Sequence, residues 1–343
     1  MKMKNCVVMF IFSCCCILSY AAGDPDSSGF YFAKAKSFQE QRRWNDAENH
    51  YLKALGFDPN SYEIRQALGK YYMELRKYSE AKSVYEKMHQ LRPADTVALS
   101  QLATLSYNLK KFPEAAVYLS ELSGYAPTDY TFTRLGKALV ETEDYGKATT
   151  AFENAVKKNP KNAEAAYELA RCFSETNNLR KAVPYYLQAI ENAPAKYMWV
   201  YELGLIYFDM SDFASAIGLF EKAAEAGLPQ DLAYLENLGM AQLGTTRYET
   251  GIATLEKILM KKPNDPQVMY QIGQAWYKHE KFEKAREWWE KVVDNDPQNF
   301  RAMYMVGMAY QKAGKIAKGR EICDRAIFGD PSLANLRQEK ISF

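Results

Sequence analysis

A small residue returns at a near-constant interval, at Ala47, Ala81, Ala115, Ala148, Ala182, Ala216, Gly251, Ala285 and Gly319, with gaps of 33 to 35 residues. Four residues after each stands Tyr51, Tyr85, Leu119, Phe152, Tyr186, Phe220, Leu255, Trp289 or Cys323. Twelve residues before each lies another small one: Ala35, Gly69, Ala103, Gly136, Ala170, Gly204, Gly239, Gly273 and Gly307. Prolines close the units at Pro59, Pro93, Pro127, Pro160, Pro194, Pro263, Pro297 and Pro331, with Pro229 displaced by one. A period of this length marks one supersecondary unit that cannot bury its apolar face alone and stacks on copies of itself.

Each unit reads as two helices. Leu203-Gly204 followed by Tyr207 has helical spacing, a polar turn such as Lys77-Tyr78-Ser79-Glu80 follows, and the second helix ends before proline. Glycine inside a helix costs about 1 kcal/mol relative to alanine, so its recurrence at one register position needs a physical reason. The reason expected is close approach, the two helices of a unit crossing where a larger side chain would separate them. The residue four after the alanine is expected to fill space against the neighbouring unit. Glycine in place of the second-helix alanine at Gly251 and Gly319 is expected to loosen those two units.

The period and the order of leucine, small residue, aromatic, alanine, aromatic, alanine and proline resemble the tetratricopeptide repeat (TPR) family. The resemblance spans 28–333 as nine units: 28–61, 62–95, 96–128, 129–162, 163–196, 197–231, 232–265, 266–299 and 300–333. It implies an all-α fold, a right-handed superhelical solenoid whose first helices line a concave face. The chain departs from the family pattern in lacking the tryptophan favoured early in the first helix, where Tyr31, Arg65, Met269 and Met303 stand instead. Residues 334–343 are expected to cap the last unit, and 23–30 to be a short linker.

Ahead of the repeats, two lysines, an uncharged apolar run and a group of small residues form the layout of a secretory signal peptide over 1–22, with cleavage after Ala21 or Gly23. The alternative is a membrane anchor, since no charge occurs from Asn5 to Gly23; Ile11-Phe12-Ser13-Cys14 only vaguely resembles a lipoprotein box. The chain is therefore expected to be exported, periplasmic or secreted, or else anchored and facing outward. Four of the six cysteines, Cys6, Cys14, Cys15 and Cys16, fall in this leader, which leaves Cys172 and Cys323 and no disulfide framework.

Lys plus Arg total 44 against 42 for Asp plus Glu, and removal of Lys2 and Lys4 would leave 42 against 42. Nucleic-acid binding needs a net basic footprint, so no nucleic-acid partner is expected. The three histidines, His50, His89 and His279, are too dispersed in the register for a metal or catalytic site. No phosphate-binding loop, nucleophile elbow or Cys-x-x-Cys occurs. Neither a catalytic residue, a metal nor a cofactor is expected, and the chain is read as a non-enzyme.

The family's ligands usually lie on first-helix residues that share one face, at positions five, nine and twelve of each unit. Read out in order, the amino-terminal half offers Lys36, Gln66, Lys70, Thr104, Thr133, Lys137 and Arg171. The carboxy-terminal half offers Tyr201, Leu205, Phe208, Met240, Leu243, Tyr270, Tyr277, Tyr304 and Met308. The expectation is a polarised groove, basic and then aromatic, that takes an extended or helical segment of a protein partner. The chain would then be an interaction scaffold in an exported complex, or alternatively an accessory subunit of an envelope or polysaccharide-processing enzyme complex. A chaperone-tail receptor does not fit, because the asparagines that would accompany the lysines are missing. Membrane contact is expected only through an uncleaved leader or a lipid anchor.

Overall fold

The computed structural model describes residues 25–337. The leader expected over 1–22 and residues 338–343 of the expected cap lie outside them. The chain divides into two compact units between Glu143 and Asp144. The first holds α1 (Pro25–Glu40), α2 (Trp44–Phe57), α3 (Tyr62–Glu74), α4 (Tyr78–Leu91), α5 (Thr96–Asn108), α6 (Phe112–Tyr125) and α7 (Asp129–Val140). The second holds α8 (Tyr145–Lys158), α9 (Ala163–Glu175), α10 (Leu179–Asn192), α11 (Tyr197–Asp209), α12 (Phe213–Glu225), α13 (Leu232–Gly244), α14 (Tyr248–Lys261), α15 (Pro266–Lys278), α16 (Phe282–Asn295), α17 (Phe300–Lys312) and α18 (Ile316–Gly329), closed by a short 3-10 helix, Pro331–Arg337. Within each unit every helix packs on its neighbours in sequence, and no strand occurs among the described residues.

One sequence expectation changes at the start. Residues 25–30, read as linker, are the first turns of α1. Proline in a first turn costs a helix no hydrogen bond, because that N–H would be unpaired anyway. Ser28 then ties α1 to α2 by donating from Oγ to the Ala54 carbonyl at 3.0 Å.

Helix starts and stops follow from local chemistry. Most first helices are capped by a side chain: Ser61, Asp95, Thr128, Asn162, Asp231, Asp265 and Asn299 each accept from a backbone N–H in the first turn. Most second helices, by contrast, lack such a cap. They start straight out of a Schellman turn, in which one residue enters the left-handed region and the next N–H reaches back five residues. Arg42 (φ 58°) donates to the Gln39 carbonyl at 2.9 Å and Arg43 to that of Phe38 at 2.8 Å. The same pair of bonds recurs at Arg76-Lys77, Lys110-Lys111, Asn177-Asn178, Ser211-Asp212, Thr246-Arg247, Glu280-Lys281 and Gly314-Lys315.

The repeat code also resolves into contacts. The side chain four residues after the second-helix alanine lies over the small residue of its own first helix, rather than only against the neighbouring unit. A methyl added at Gly69 would sit 2.8 Å from the Tyr85 ring, at Gly204 2.7 Å from Phe220, and at Gly273 2.5 Å from Trp289 Nε1. Tyr85, Phe220 and Trp289 are all fully buried. Gly251 and Gly319 correct the expectation of loosening. A methyl at Gly319 would meet the Gly307 carbonyl oxygen at 2.5 Å, and one at Gly251 the Gly239 carbonyl oxygen at 2.9 Å. In these two repeats glycine faces glycine, and the backbones approach more closely than alanine permits.

The seam between repeats is carried by positions three, seven and ten of the first helices. Ile64, Leu68 and Tyr71 in α3, Ala98, Leu102 and Leu105 in α5, and Val268, Ile272 and Ala275 in α15 are all buried. A fully buried leucine or isoleucine here contributes about 1.5–3 kcal/mol. In α1 the same positions hold Phe30, Lys34 and Ser37, all exposed, with Lys34 Nζ lying 4.5 Å over the Phe30 ring. At the other end, Leu333 of the 3-10 helix is buried and Leu336 packs on the same cluster as Tyr304 and Val306.

Candidate functional site: the first-helix face

In the second unit, side chains bridge from each first helix to the next. Tyr167 of α9 stacks on Trp199 of α11 (4.5 Å between ring centroids, 14° between planes) and donates its hydroxyl to Glu202 Oε1 at 3.1 Å. Asn237 of α13 donates to Tyr201 Oη at 2.7 Å. Gln267 and Gln271 of α15 both donate to Glu236 Oε1 of α13 at 3.3 Å. The Arg301 guanidinium of α17 lies 5.8 Å from the Tyr270 ring centroid. These bonds set α9, α11, α13, α15 and α17 side by side.

Most of the aromatic residues expected on this face are used in packing. Tyr304 is 1% exposed and belongs to the core between α16 and α18, so its ring presents nothing to a partner. Phe208 meets Phe213 edge-on at 5.3 Å and Tyr277 meets Phe282 at 5.2 Å. In the first unit Tyr107 and Phe112, at the same two positions, form the same pair at 5.1 Å. Position twelve therefore clamps the turn within a repeat. Leu243, also at position twelve, packs against the backbone at Gly251. Tyr201 and Tyr270 are half-buried, against Phe220 and Trp289 respectively, and burial pushes both hydroxyls up. Burial, and then the Glu202 charge, holds Tyr167 well above the usual phenol range.

Position nine is left partly exposed. In the second unit it holds Arg171, Leu205, Met240, Gln274 and Met308. Their neighbours at position eight are the small residues under the second helix, so one step along the helix separates packing from presentation. Arg171 is shared with Glu168, at 3.3 Å.

In the first unit Lys36, Lys70, Thr104 and Lys137 hold position nine. The face there is mixed in charge rather than basic. Lys36 Nζ is 3.5 Å from Glu63 and 3.9 Å over the Phe32 ring, and the cleft beside it is also lined by Glu40, Arg42 and Glu74. Lys70 is exposed. Thr104 accepts from Arg134 at 2.7 Å, Thr133 is buried, and Gln66 is partly exposed. Glu236 and Gln274 lie on positions five and nine of the stripe but were left out of the expected groove, and the stripe itself does not reach Glu63, Asn237, Gln267, Gln271 or Arg301. Arg301 sits at position two, which the same four-and-three spacing reaches when extended by one step, so that omission was avoidable.

Among the described residues, no group of three His, Cys, Asp or Glu side chains could hold a metal, and no helix is long and apolar enough to cross a membrane. Cys172 and Cys323 are buried and unbridged; burial raises the Cys172 thiol to about 11.

The tetratricopeptide repeat family model matches residues 32–96, 133–197, 201–267 and 270–334, well over half of the chain. The chain belongs to the tetratricopeptide repeat family. Proteins of this family generally act as protein-interaction scaffolds, and the TPR fold is typically non-enzymatic. No curated protein matches the chain. Among solved structures it is similar to the carboxy-terminal part of a TPR repeat-containing protein from Cytophaga hutchinsonii, at 18% identity over 70% of this chain and 98% of that one, with a TM-score of 0.54. A tetratricopeptide repeat protein from Parabacteroides merdae matches at 18% over 73% and 99%, TM-score 0.46. YrrB, a TPR protein with an unusual peptide-binding site, matches at 24% over 53% and 94%, TM-score 0.44. At these identities the likeness concerns the fold alone, and the Cytophaga structure carries it.

Proposed function

We propose that this TPR protein is an exported, non-enzymatic scaffold that holds a segment of a protein partner on the first-helix face of its second unit. The observation that carries the reading is the row Leu205, Met240, Gln274 and Met308, one partly exposed side chain per repeat on helices already locked to one another. Scattered apolar side chains on a surface are ordinary, but aligned ones on one face are what an interface uses. Completing the burial of Leu205 and Met240 is worth roughly 1 kcal/mol each. Set against the cost of association, these two anchors do not hold a segment by themselves, and polar and backbone contacts along the rest of the face supply the remainder.

The test is crosslinking in the native cell, with the full chain and with a Leu205→Glu/Met240→Glu variant. Both side chains are partly exposed, so helicity should persist, and circular dichroism checks it. Loss of the captured partner supports the docking face; unchanged capture refutes it. Export is supported by the leader's layout. A mature chain that begins after Ala21 or Gly23, recovered outside the cytoplasm, is the expected result, and a full-length cytoplasmic chain would refute it.

A further inference from the structure

Between α15 and α17 the first-helix face opens into a cleft of about 460 Å³, lined by Gln267, Tyr270, Gln271, Gln274, Asn299 and Arg301. With Pro266 the lining numbers seven residues, of which four are amides and one is a cation, a chemistry unlike that of Leu205 and Met240 on α11 and α13. Arg301 is exposed and leans on Tyr270, and among the described residues no carboxylate pairs with it. The acid nearest the opposite wall, Glu236 on α13, is already engaged by the amide nitrogens of Gln267 and Gln271. An anion entering the cleft is thus repelled at its α13 side and attracted at its α17 side.

We propose that this cleft is an acidic-residue subsite of the docking face: the partner segment that covers Leu205 and Met240 also carries an aspartate or glutamate that pairs with Arg301. The amides are suited to the polar backbone of an extended segment running between the two, since each can both donate and accept. Spacing follows from the fold. Packed helices lie about 10 Å apart, so α13 to α17 is roughly 20 Å, and an extended chain advancing about 3.3 Å per residue covers it in about six residues. The acidic residue therefore stands about six positions from the apolar anchor. This inference rests on the docking reading above, and the experiment separates the two.

A displayed library of random twelve-residue peptides is selected on the full chain, on Arg301→Glu and on Leu205→Glu/Met240→Glu. The best peptide is then measured by fluorescence polarisation against wild type and Arg301→Gln, in its acidic form, with that acid replaced by its amide, and with its chain terminus amidated. Wild type should enrich an acidic residue about six positions from an apolar one, and Arg301→Glu should not. Arg301→Gln should weaken the best peptide about fivefold, as an exposed ion pair worth up to about 1 kcal/mol implies, and should add nothing once the peptide acid is neutralised. Enrichment without the acid, or binding indifferent to Arg301→Gln but abolished by Leu205→Glu/Met240→Glu, overturns the subsite and leaves the docking face standing. A loss on amidating the terminus as large as that on neutralising the side chain assigns the cleft to a chain end and overturns the internal acid. No enrichment on wild type, or binding indifferent to every substitution, overturns both readings.

Discussion

Gly319→Ala reverses the usual rule that alanine in place of a mid-helix glycine stabilises. Alanine is favoured over glycine in a helix by about 1 kcal/mol, so propensity alone makes the variant more stable. At Gly319 the new methyl would lie 2.5 Å from the Gly307 carbonyl oxygen and 2.8 Å from the backbone nitrogen of Gln311. Neither atom is the end of a flexible side chain. To reach even 3.0 Å, α18 must back away from α17 by at least about 0.5 Å, which pulls Ile322, Cys323 and Ala326 out of contact with Tyr304 and Val306. Overpacking of this kind costs about 1–3 kcal/mol. Two contacts with backbone atoms place Gly319 in the upper part of that range, about 2–3 kcal/mol, so after the gain in propensity the net loss is about 1–2 kcal/mol.

Gly218→Ala is the matched control. Gly218 lies inside α12 with nothing within 4 Å of its would-be methyl, so the variant should gain about 0.5–1 kcal/mol. Stacked repeats open locally instead of all at once, which makes amide exchange over residues 300–337 a sharper readout than a global melt. Gly319→Ala should exchange there about tenfold faster, since tenfold corresponds to about 1.4 kcal/mol. Exchange unchanged, or slowed in α18, would refute the close approach and leave propensity as the only reason for glycine.

Other outcomes follow from the same contacts. Arg76, in the left-handed region at φ 57°, should accept glycine with a gain of about 0.5–1 kcal/mol, whereas Gly314→Ala should lose about as much; urea titrations of the two variants measure both signs. Burial raises the hydroxyls of Tyr51, Tyr71 and Tyr85 from 10 to about 12. Because the folded values exceed the unfolded one, the contribution of these tyrosines to stability is whole below pH 10 and is lost as pH rises toward about 12. Phenolate absorbance should therefore lag behind free tyrosine and then rise together with helix loss. Phe208→Ala removes the ring that clamps Phe213 and should cost about 1–3 kcal/mol, seen in thermal melts followed by circular dichroism.

The fold was legible because its determinants are short-range and repeated. Ala216 and Phe220, or Ala285 and Trp289, announce a helix pair each time they recur, and a reader needs only the spacing. What could not be read from spacing was what a side chain does once the helices meet. Phe208 and Tyr277 share a helical face with Leu205, yet each is held by an aromatic residue five positions on, across the turn. Tyr304 aligns with Tyr201 in the register but is sealed by α18. The Schellman turns were invisible for a different reason. Seven of the eight complete ones that lead from a first helix into a second place a residue other than glycine in the left-handed region (Arg42, Arg76, Lys110, Asn177, Ser211, Thr246 and Glu280), so composition gave no sign of them; the backbone bonds at each turn offset a strain that sequence patterns do not show.

Packing and presentation sit on adjacent positions of the same helix, which explains why the repeat specifies a fold without specifying a partner. Position eight is confined to glycine or alanine because a buried second-helix side chain, Phe220 over Gly204 or Trp289 over Gly273, occupies the space a larger residue would need. Position nine lies one step round the helix and is partly exposed, so Leu205, Met240, Gln274 and Met308, three of which pack at one side on the core, can change chemistry at less cost in stability than position eight. In the second unit that freedom is spent unevenly. Leucine and methionine occupy the repeats of α11 and α13, and glutamines, with an arginine that meets Tyr270 and no carboxylate among the described residues, the interval from α15 to α17. An uneven row on a regular scaffold distinguishes one end of a bound segment from the other, because reversing the segment would set its apolar anchor against Arg301 and its acid beside Glu236.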